Sequence, residues 1–338
     1  MQAVVLVGGE GTRMRPLTET VPKPLLPLVD RPFLAHVLDR LAEHGVEEAI
    51  LSSPFLEEVF GPFLATREGR LPRVVWITEP KPLGTAGAIA NALDHLRDAF
   101  LVLNGDILTD LDLTRLAAYH RERGAVATIA VGPVEDARPY GLVEVGDDGR
   151  VGAFREKPAD LVPGTVNMGA YVLEPVALQG VSTTRAVSIE TEVFPGLVES
   201  KVPVYGFVSD AYWKDLGTPD KYLGATFDAL EGRIRGLRYP APFLAEDATT
   251  AASATVGPLA VIGGHARVGE GATVEGSVVF EGATVEAGAR VRGSIVGRAV
   301  HVGERADVVD SVLAEGAVVP PGARADGERV PPFTVLET

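Results

Sequence analysis

Residue types suited to phosphate chemistry lie close together in GGEGTRMRPLTETVPKPLLP, residues 8–27. The glycines follow a short apolar run, and the backbone N–H groups of such a turn can approach phosphate oxygens. Arg13 could bind two phosphate oxygens through its guanidinium. Lys23 stands between two prolines, and the proline after it favours an extended backbone, which would pre-position its ammonium. An ordinary proline-rich surface loop with a solvated lysine explains the same stretch equally well.

This stretch matches neither of the two common phosphate-binding loops. No Gly-Lys-Ser/Thr sequence ends it, as a P-loop requires. Gly9-x-Gly11 is not followed by the third glycine of a dinucleotide fingerprint. Any phosphate-binding role must therefore be argued from the rest of the chain.

Two aspartates are candidates for a metal site. Asp106 ends the apolar run LVLNGD, and Asp215 lies in YWKDLGT. Carboxylate oxygens are the protein ligands that Mg²⁺ prefers, together with substrate phosphates. Each residue could equally be a turn aspartate, and their spacing in the sequence does not show that they meet.

Further polar candidates are each weak alone. Gly84 and Thr85 open a helix in EPKPLGTAGAI, where a helix N-terminus could face an anion or simply be capped. Glu156 and Lys157 follow a strand, and Asn167 lies in VNMGAY, a set that suits sugar hydroxyls and a phosphate but also fits a hairpin end. The chain has no cysteine, which excludes a thiol nucleophile and thiolate metal sites. Its histidines show no metal-ligand spacing.

The elements around these residues alternate between strands and helices. Residues 3–7 form an apolar run typical of a buried parallel strand, and residues 33–44 have helical apolar spacing up to Gly45. The alternation continues to residue 106 and predicts a doubly wound, Rossmann-like α/β sheet, whose ligands bind beyond the carboxyl ends of the strands. From about residue 140, hairpin patterns follow, and Thr218 with Pro219 predicts a helix start.

After residue 250, apolar residues recur every six positions. One-residue slips interrupt the series, which is typical of the hexapeptide repeats of a parallel β-helix; a valine-rich β-sandwich is the alternative. We therefore predict an α/β domain over 1–235, a linker over 236–250 and a left-handed β-helix over 251–338. The repeat positions are Val256, Ile262, Val268, Val274, Val279, Val285, Val291, Val296, Val302 and Val308.

The bulk properties narrow the class of partner. The net charge of −15 and the lack of a basic run argue against nucleic acid. No apolar run approaches the ~18 residues that would predict a membrane span. The first residues lack the basic region of a signal peptide, so we expect a cytoplasmic protein without a membrane partner.

Taken together, the motifs resemble those of the sugar-phosphate nucleotidyltransferases. The family signature G-G-x-G-T-R-x-x-P-L-T followed by P-K-P-x-x-P matches residues 8–18 and 22–27. Later blocks occur in the family's order: EPKPLGTAGAI, LNGD, YGLVEV, EKP, NMGAY, SIETEVFP and WKDLGTP. Within the family the chain most resembles the mannose-1-phosphate guanylyltransferases, which often carry valine where Val7 stands.

The resemblance implies a role for each matching residue. Arg13, Lys23 and Asp106 would be catalytic, with Arg13 and Lys23 on the triphosphate. Asp106 and Asp215 would hold Mg²⁺. The sugar phosphate would contact Gly141, Glu156, Lys157 and Asn167. The nucleotide would contact Val7, Gly8, Gly9, Gly11, Thr12, Arg13, Lys23, Gly84, Thr85, Asn104 and Gly105.

The implied reaction joins a nucleoside triphosphate, GTP above all, to a sugar 1-phosphate, mannose 1-phosphate above all. Alternatives are glucose or heptose 1-phosphate with UTP, dTTP or GTP, and a regulatory subunit that binds nucleotide-sugar without turnover. A separate acyltransferase activity using His265 or His301 is a further alternative. We also expect homo-oligomers formed through the β-helix, and an exposed Lys214.

Overall fold

The structure is a computed structural model that describes residues 1–54, 57–159 and 162–337. No helix within these ranges combines the length and apolar character needed to cross a bilayer. The helices are α1 (Phe33–Glu43), α2 (Glu57–Ala65), α3 (Gly84–Asn91), α4 (Leu113–Arg123), α5 (Phe194–Glu199) and α6 (Pro219–Leu230). The strands up to residue 215 are β1 (Gln2–Leu6), β2 (Pro27–Leu28), β3 (Arg31–Pro32), β4 (Glu48–Ser53), β5 (Arg73–Thr78), β6 (Phe100–Asn104), β7 (Ile107–Thr109), β8 (Ala127–Val134), β9 (Gly141–Val145), β10 (Val151–Glu156), β11 (Gly164–Leu173), β12 (Val204–Val208) and β13 (Trp213–Asp215).

The chain divides into two compact units that are not continuous in sequence. Unit 1 contains Met1–Gly9 and Leu34–Trp213, and unit 2 contains Glu10–Phe33 and Lys214–Thr338. The glycine-rich stretch is therefore divided between the units after Gly9. The sequential boundaries 1–235 and 251–338 remain a prediction, since compactness assigns residues 10–33 and 214–235 to the same unit as the repeats.

Unit 1 is built on a mixed sheet with the order β10-β9-β11-β6-β1-β4-β5, and β8 and β12 join through β11. Strands β6, β1, β4 and β5 are mutually parallel, while β11 runs antiparallel to β6. Val4, Ile50 and Val102 on the parallel strands are fully buried, because helices cover such sheets on both faces. The predicted Rossmann-like α/β sheet is confirmed, with an antiparallel extension.

Of two helix predictions, the start of α6 is confirmed, whereas the helix that begins at Gly84 is shorter than its sequence pattern indicates. The stretch 84–96 reads as one helix, but α3 ends at Asn91 and a separate 3₁₀ turn spans Leu93–His95. The predicted start of α6 is confirmed: Pro219 occupies the first turn and the Thr218 hydroxyl accepts a hydrogen bond from the Lys221 N–H at 3.4 Å. The threonine cap accepts from a donor that a helix start leaves unpaired, and a first-turn proline lacks one such donor.

Unit 2 ends in three parallel sheets that form the β-helix. The sheets have the orders β14-β17-β20-β23-β26-β29, β15-β18-β21-β24-β27 and β16-β19-β22-β25-β28. The β-helix begins at Phe243, inside the segment 236–250 that the sequence suggested as a linker. Its strands are β14 (Phe243–Leu244), β15 (Thr249–Thr250), β16 (Thr255–Val256), β17 (Val261–Ile262), β18 (Arg267–Val268), β19 (Thr273–Glu275), β20 (Val278–Val279), β21 (Thr284–Val285), β22 (Arg290–Arg292), β23 (Ile295–Val296), β24 (His301–Val302), β25 (Asp307–Val309), β26 (Val312–Leu313), β27 (Val318–Val319), β28 (Arg324–Asp326) and β29 (Arg329–Val330).

The slip in the six-residue repeat is a tightened corner of this β-helix. Paired residues of the first coil, such as Thr249 and Arg267, are 18 positions apart, whereas later pairs, such as Val278 and Ile295, are 17 apart. Each shortened corner has a left-handed residue followed by a polar one; Gly293, with φ +59°, precedes Ser294. The Ser294 hydroxyl donates to the Arg292 carbonyl and accepts from the N–H of Ser311 in the next coil, so the corner remains fully bonded.

Candidate active site

The turn that follows β1 requires glycine because the chain is crowded there. A Cβ on Gly8 would lie 2.5 Å from Cδ of Pro54, and one on Gly105 would lie 2.6 Å from the Leu6 carbonyl oxygen. Gly105 also donates its N–H to that carbonyl at 2.9 Å. The glycines therefore bring the ends of β1 and β6 together in unit 1, at the carboxyl edge where α/β sheets bind ligands.

Sequence analysis missed Glu79, a buried carboxylate beside this turn. Its Oε1 lies 3.4 Å from the position of a Cβ on Gly8 and accepts from the Ser52 hydroxyl at 3.2 Å. Its Oε2 accepts from the Leu83 N–H at 2.9 Å. Burial raises the pKa of Glu79 above its ordinary value, and these two hydrogen bonds oppose that rise. In the sequence, the only indication of this carboxylate was the acidic residue that directly precedes PKPLG.

The start of α3 is held by protein groups. Gly84 has φ +70°, and a Cβ there would lie 2.6 Å from the Val187 carbonyl oxygen. That carbonyl accepts from the N–H of Ala86 at 2.9 Å. The Thr85 hydroxyl donates to Glu190 at 2.7 Å. The helix start is thus fixed against the SIETEVF segment, and the contact of Gly84 and Thr85 with a base stays a prediction.

Asn104 and Asn167 present amides with different surroundings. The Asn104 Oδ1 atom is buried and has no hydrogen-bond partner within the described residues. A buried amide oxygen without a partner is costly, and a ligand donor would remove the cost. Asn167 instead donates to the Tyr171 hydroxyl at 2.7 Å and accepts from the Gly169 N–H at 2.8 Å. Its side chain is therefore fixed in orientation by the protein itself, and its contact with a sugar stays a prediction.

Three of the four residues expected at the sugar phosphate form one group. A Cβ on Gly141 would lie 2.8 Å from the Glu156 carboxylate, so glycine leaves room for that acid. The Glu156 carboxylate pairs with the Lys157 ammonium at 3.2 Å. Lys157 has φ +48°, a left-handed backbone that is uncommon outside glycine and is often found at functional sites. Unit 1 thus brings Gly141, Glu156 and Lys157 together.

In unit 2, Gly11 begins the segment that carries the basic residues. Gly11 has φ +62° and precedes a 3₁₀ turn at Thr12–Met14 whose Met14 side chain is fully buried. The Thr18 hydroxyl donates to the Gly11 carbonyl at 2.8 Å. The exposed Thr12 and Arg13 are therefore anchored on either side, by the Gly11 turn and by the buried Met14.

The expectation of an extended backbone at Lys23 is wrong. Lys23 opens a 3₁₀ turn that ends at Leu25, with Pro24 buried. The turn forms because the N–H groups of Leu25 and Leu26 bond back to the Pro22 and Lys23 carbonyls at 2.8 and 3.1 Å. Proline is tolerated near a helix start, where its missing N–H is not needed. The tether remains short and rigid, as the flanking prolines indicate.

Arg13 and Asp215 lie at the same turn of unit 2. A Cβ on Gly217 would be 2.7 Å from the Arg13 Nη2 atom and 2.6 Å from Asp215 Oδ1. Asp215 Oδ1 accepts from the Gly217 N–H at 3.1 Å, and Oδ2 accepts from the Lys221 ammonium. Two residues far apart in sequence are therefore neighbours, and Lys221, which was not predicted, bonds to one of them.

Lys214 differs from expectation. It was expected to be exposed, but its ammonium is bonded to Asp228, which also pairs with Arg233. Asp228 is only 6% exposed, and a carboxylate buried to that degree requires a cationic partner. Lys214 is thus part of the packing of α6.

The fit of the two aspartates to Mg²⁺ can be judged from their donors. Both offer hard carboxylate oxygens, and those of Asp215 are already held by Lys221 and the Gly217 N–H. No group of three or more acidic or histidine side chains able to hold a metal occurs in the described ranges. Carboxylate oxygens are the protein ligands that Mg²⁺ prefers, alongside water and substrate phosphates, and Mg²⁺ at these two residues stays a prediction.

The fold is that of an α/β protein, and its glycine turn, cations and carboxylates are residue types suited to phosphate chemistry. Comparison with known proteins makes the class specific. Residues 2–232 match the family described as Nucleotidyl transferase, and residues 239–338 match the one described as GMPPB C-terminal domain. The chain belongs to the nucleotidyl transferase family.

Several curated proteins are similar to this chain. A mannose-1-phosphate guanylyltransferase of Mycobacterium tuberculosis is 40% identical over 234 residues, which cover 69% of this chain and 65% of that protein. A mannose-1-phosphate guanylyltransferase catalytic subunit beta of Danio rerio is 38% identical, over 66% of this chain and 63% of its own length. The alignments thus span slightly less than two thirds of these relatives.

Solved structures resemble about two thirds of the chain. HddC from Yersinia pseudotuberculosis has a TM-score of 0.59 and 29% identity, covering 67% of this chain and 97% of its own. The same protein complexed with GMP-PN has a TM-score of 0.58 and 28% identity. The fold over that share of the chain therefore also occurs in a protein solved in complex with GMP-PN.

Proposed function

We propose that this protein transfers the guanylyl group of GTP to mannose 1-phosphate, producing GDP-mannose and pyrophosphate. The observation that carries the proposal is the 40% identity over 234 residues to a protein named mannose-1-phosphate guanylyltransferase. The neighbour complexed with GMP-PN supports the choice of a guanine nucleotide. The grouping of Arg13 with Asp215 in one turn supports catalysis over a purely regulatory role.

The reaction needs no general base. An anionic phosphate oxygen of mannose 1-phosphate attacks the α-phosphorus of GTP and forms a new P–O bond. The bond from the α-phosphorus to the bridging oxygen of the β-phosphate breaks, and that oxygen leaves with its electron pair as part of pyrophosphate. Catalysis is then positioning together with neutralisation of two approaching anions.

In this proposal, the chain divides the work between nucleotide and sugar phosphate. Gly8, Gly9, Gly11 and Thr12 bind the nucleotide, and Arg13 and Lys23 hold its triphosphate, with Arg13 on the leaving pyrophosphate. The sugar phosphate lies against Gly141, Glu156, Lys157 and Asn167. A further set of residues contacts the base and the ribose. The base-side residues in this scheme are Val7, Gly84, Thr85, Asn104 and Gly105.

Asp106 and Asp215 would hold Mg²⁺ in this scheme. The ion would supply positive charge to the triphosphate oxygens when bound. Lys221 keeps the Asp215 carboxylate in one orientation, and the Gly217 N–H fixes its second oxygen. The aspartate is thus oriented by the chain itself.

The proposal also includes a cytoplasmic location and a homo-oligomer without nucleic acid or membrane partners. The final coil of the β-helix exposes two apolar side chains, Phe333 at 71% and Val335 at 60%. Exposed large apolar side chains favour association, because contact with a second copy would remove them from water. Sedimentation of the full chain tests this: a monomer at micromolar concentration would contradict it.

A substrate panel tests the reaction. Purified full-length protein is incubated with GTP, UTP, dTTP or ATP and with mannose, glucose or heptose 1-phosphate, and pyrophosphate release is measured. We expect the highest kcat/KM for GTP with mannose 1-phosphate. A higher kcat/KM for another pair would change the assigned substrates but would still support nucleotidyl transfer. Binding of GDP-mannose without pyrophosphate release from any pair would identify a regulatory subunit.

A further inference from the structure

The last coil of the β-helix contacts the segment that carries Arg13. The Arg329 Nη1 atom donates to the Arg15 carbonyl at 2.7 Å and lies 3.5 Å from the Arg13 carbonyl. Both partners belong to unit 2. The contact is therefore made between residues 314 and 316 positions apart within one compact unit.

Arg329 lies at the end of a column of apolar residues on the outside of one β-helix sheet. Alternate residues point outwards, and the outward residues Val261, Val278, Ile295 and Val312 are nonetheless buried. Phe280, close to this column, stacks edge-on against Tyr222 of α6, with ring centroids 6.3 Å apart. The column therefore packs against other parts of unit 2, and Arg329, paired with Val312 in the neighbouring strand, continues it with a charge.

Other outward arginines of the β-helix have a different kind of partner. Arg298 pairs with Glu315, and Arg324 pairs with Asp307 and Asp326. Arg329 instead donates to main-chain carbonyls of the 3₁₀ segment. An arginine that bonds to backbone carbonyls orders the segment that carries them, and a charged donor forms a stronger bond than a neutral one.

Two backbone hydrogen bonds hold together the turn that Arg329 contacts. The N–H groups of Met14 and Arg15 bond to the Gly11 and Thr12 carbonyls at 2.8 and 3.2 Å. Those bonds fix the turn internally. The carbonyls of Arg13 and Arg15 point to Arg329, so this contact links the turn to the β-helix.

We infer that Arg329 is a positioning residue, through which the β-helix holds the backbone of Arg13 in place for nucleotidyl transfer. The inference rests on the proposed function for its kinetic part only. Arg329 acts through the carbonyls of Arg13 and Arg15 and does not touch substrate. The β-helix is then part of the catalytic arrangement as well as a scaffold for assembly.

Substitution of Arg329 in the full-length protein tests the inference. Arg329→Met keeps the aliphatic stem and removes the donors, and Arg329→Lys keeps a single charged donor. We expect kcat to fall about 10-fold in Arg329→Met, because small displacements of a catalytic group are costly, with the KM for mannose 1-phosphate unchanged. Arg329→Lys should recover most of the loss. Arg324→Met is the matched control. Arg324 is an exposed arginine of the same coil, but its partners are the carboxylates of Asp307 and Asp326 and not the turn.

Hydrogen exchange supplies a readout that does not depend on activity. Arg329→Met should accelerate amide exchange in residues 11–16 several-fold, and Arg324→Met should not. Wild-type exchange and wild-type kcat in Arg329→Met would overturn the inference, as would an equal loss of kcat in Arg324→Met. If the wild-type protein released no pyrophosphate with any substrate pair, the proposed function would fail while the exchange comparison still decided the role of Arg329.

Discussion

The Arg13 guanidinium lies directly over Gly217, so that the Nη2 atom occupies space 2.7 Å from the position of a Cβ there. The φ angle of Gly217 is not positive, so the backbone conformation there would accept alanine. The glycine is needed for space and not for conformation. Any side chain at residue 217 must displace Arg13, Asp215 or both.

Gly217→Ala is therefore expected to reduce activity while leaving the fold intact. Because Arg13 would be displaced from the leaving group, kcat/KM should fall by roughly 10- to 100-fold. Steady-state pyrophosphate release and thermal unfolding together measure the two effects. Gly196→Ala is the control, since nothing lies within 4 Å of a Cβ at that position. Unchanged kcat/KM in Gly217→Ala would show that Arg13 is not needed where the structure has it.

Lys23→Met separates the charge of this lysine from its packing. The Lys23 side chain lines a small, mainly apolar pocket with Met14, Leu26 and Tyr222. Methionine can fill that space, so stability should change little, whereas loss of the ammonium should lower kcat/KM by on the order of 10²-fold. Lys201→Met, at an exposed position, should behave as wild type. Wild-type turnover by Lys23→Met with GTP and mannose 1-phosphate would remove Lys23 from the mechanism.

Glu79→Gln is expected to stabilise the protein at neutral pH. Burial raises the pKa of Glu79, so the folded state binds this proton more tightly than the unfolded state does. The favourable contribution is fully present below the ordinary Glu pKa of 4.5 and is lost as pH rises through the folded value. The Tm gain of Glu79→Gln should therefore grow between pH 4 and pH 8.

Glu192→Gln is the comparison for this pH dependence. The Arg185 hydrogen bond lowers the pKa of Glu192, so its contribution has the opposite sign and is lost as pH falls. Because Glu192 is exposed, the change should be small. A Tm difference for Glu79→Gln that stayed constant or shrank as pH rose would mean that ionisation of Glu79 does not oppose folding.

The sequence predicted the periodic parts of the fold well. The parallel strands, the Thr218 start of α6 and the β-helix all have strong local signals: apolar runs, a cap residue and a six-residue repeat. It did not predict the 3₁₀ turn at Lys23, because local proline preference was outweighed by hydrogen bonds to Pro22 and Lys23. The six-residue pattern is weaker in the first coil, where Thr250 takes the place that Val268 and Val285 have in the next coils.

The site was only partly accessible from sequence. Motif order identified Arg13 and Asp215 as candidates, but no spacing rule could show that both lie against Gly217. The pairing of Lys214 with Asp228 was missed because exposure cannot be read from a single lysine. Arg329 was missed for a related reason: its partners are backbone carbonyls, which carry no sequence signal.

Asp310→Gly is expected to raise stability through the tightened corners of the β-helix. Asp310 has φ +46°, and the equivalent positions one coil away on either side are Gly293 and Gly327, both with positive φ. A side chain in left-handed geometry costs about 1 kcal/mol, less for aspartate than for most residues, while glycine has no such cost. We therefore expect a gain of about 0.5 kcal/mol in the free energy of unfolding, measured by denaturant titration. Asp310→Ala keeps the Cβ and should give no gain; equal stabilisation by both variants would assign the effect to the lost carboxylate instead of to the backbone.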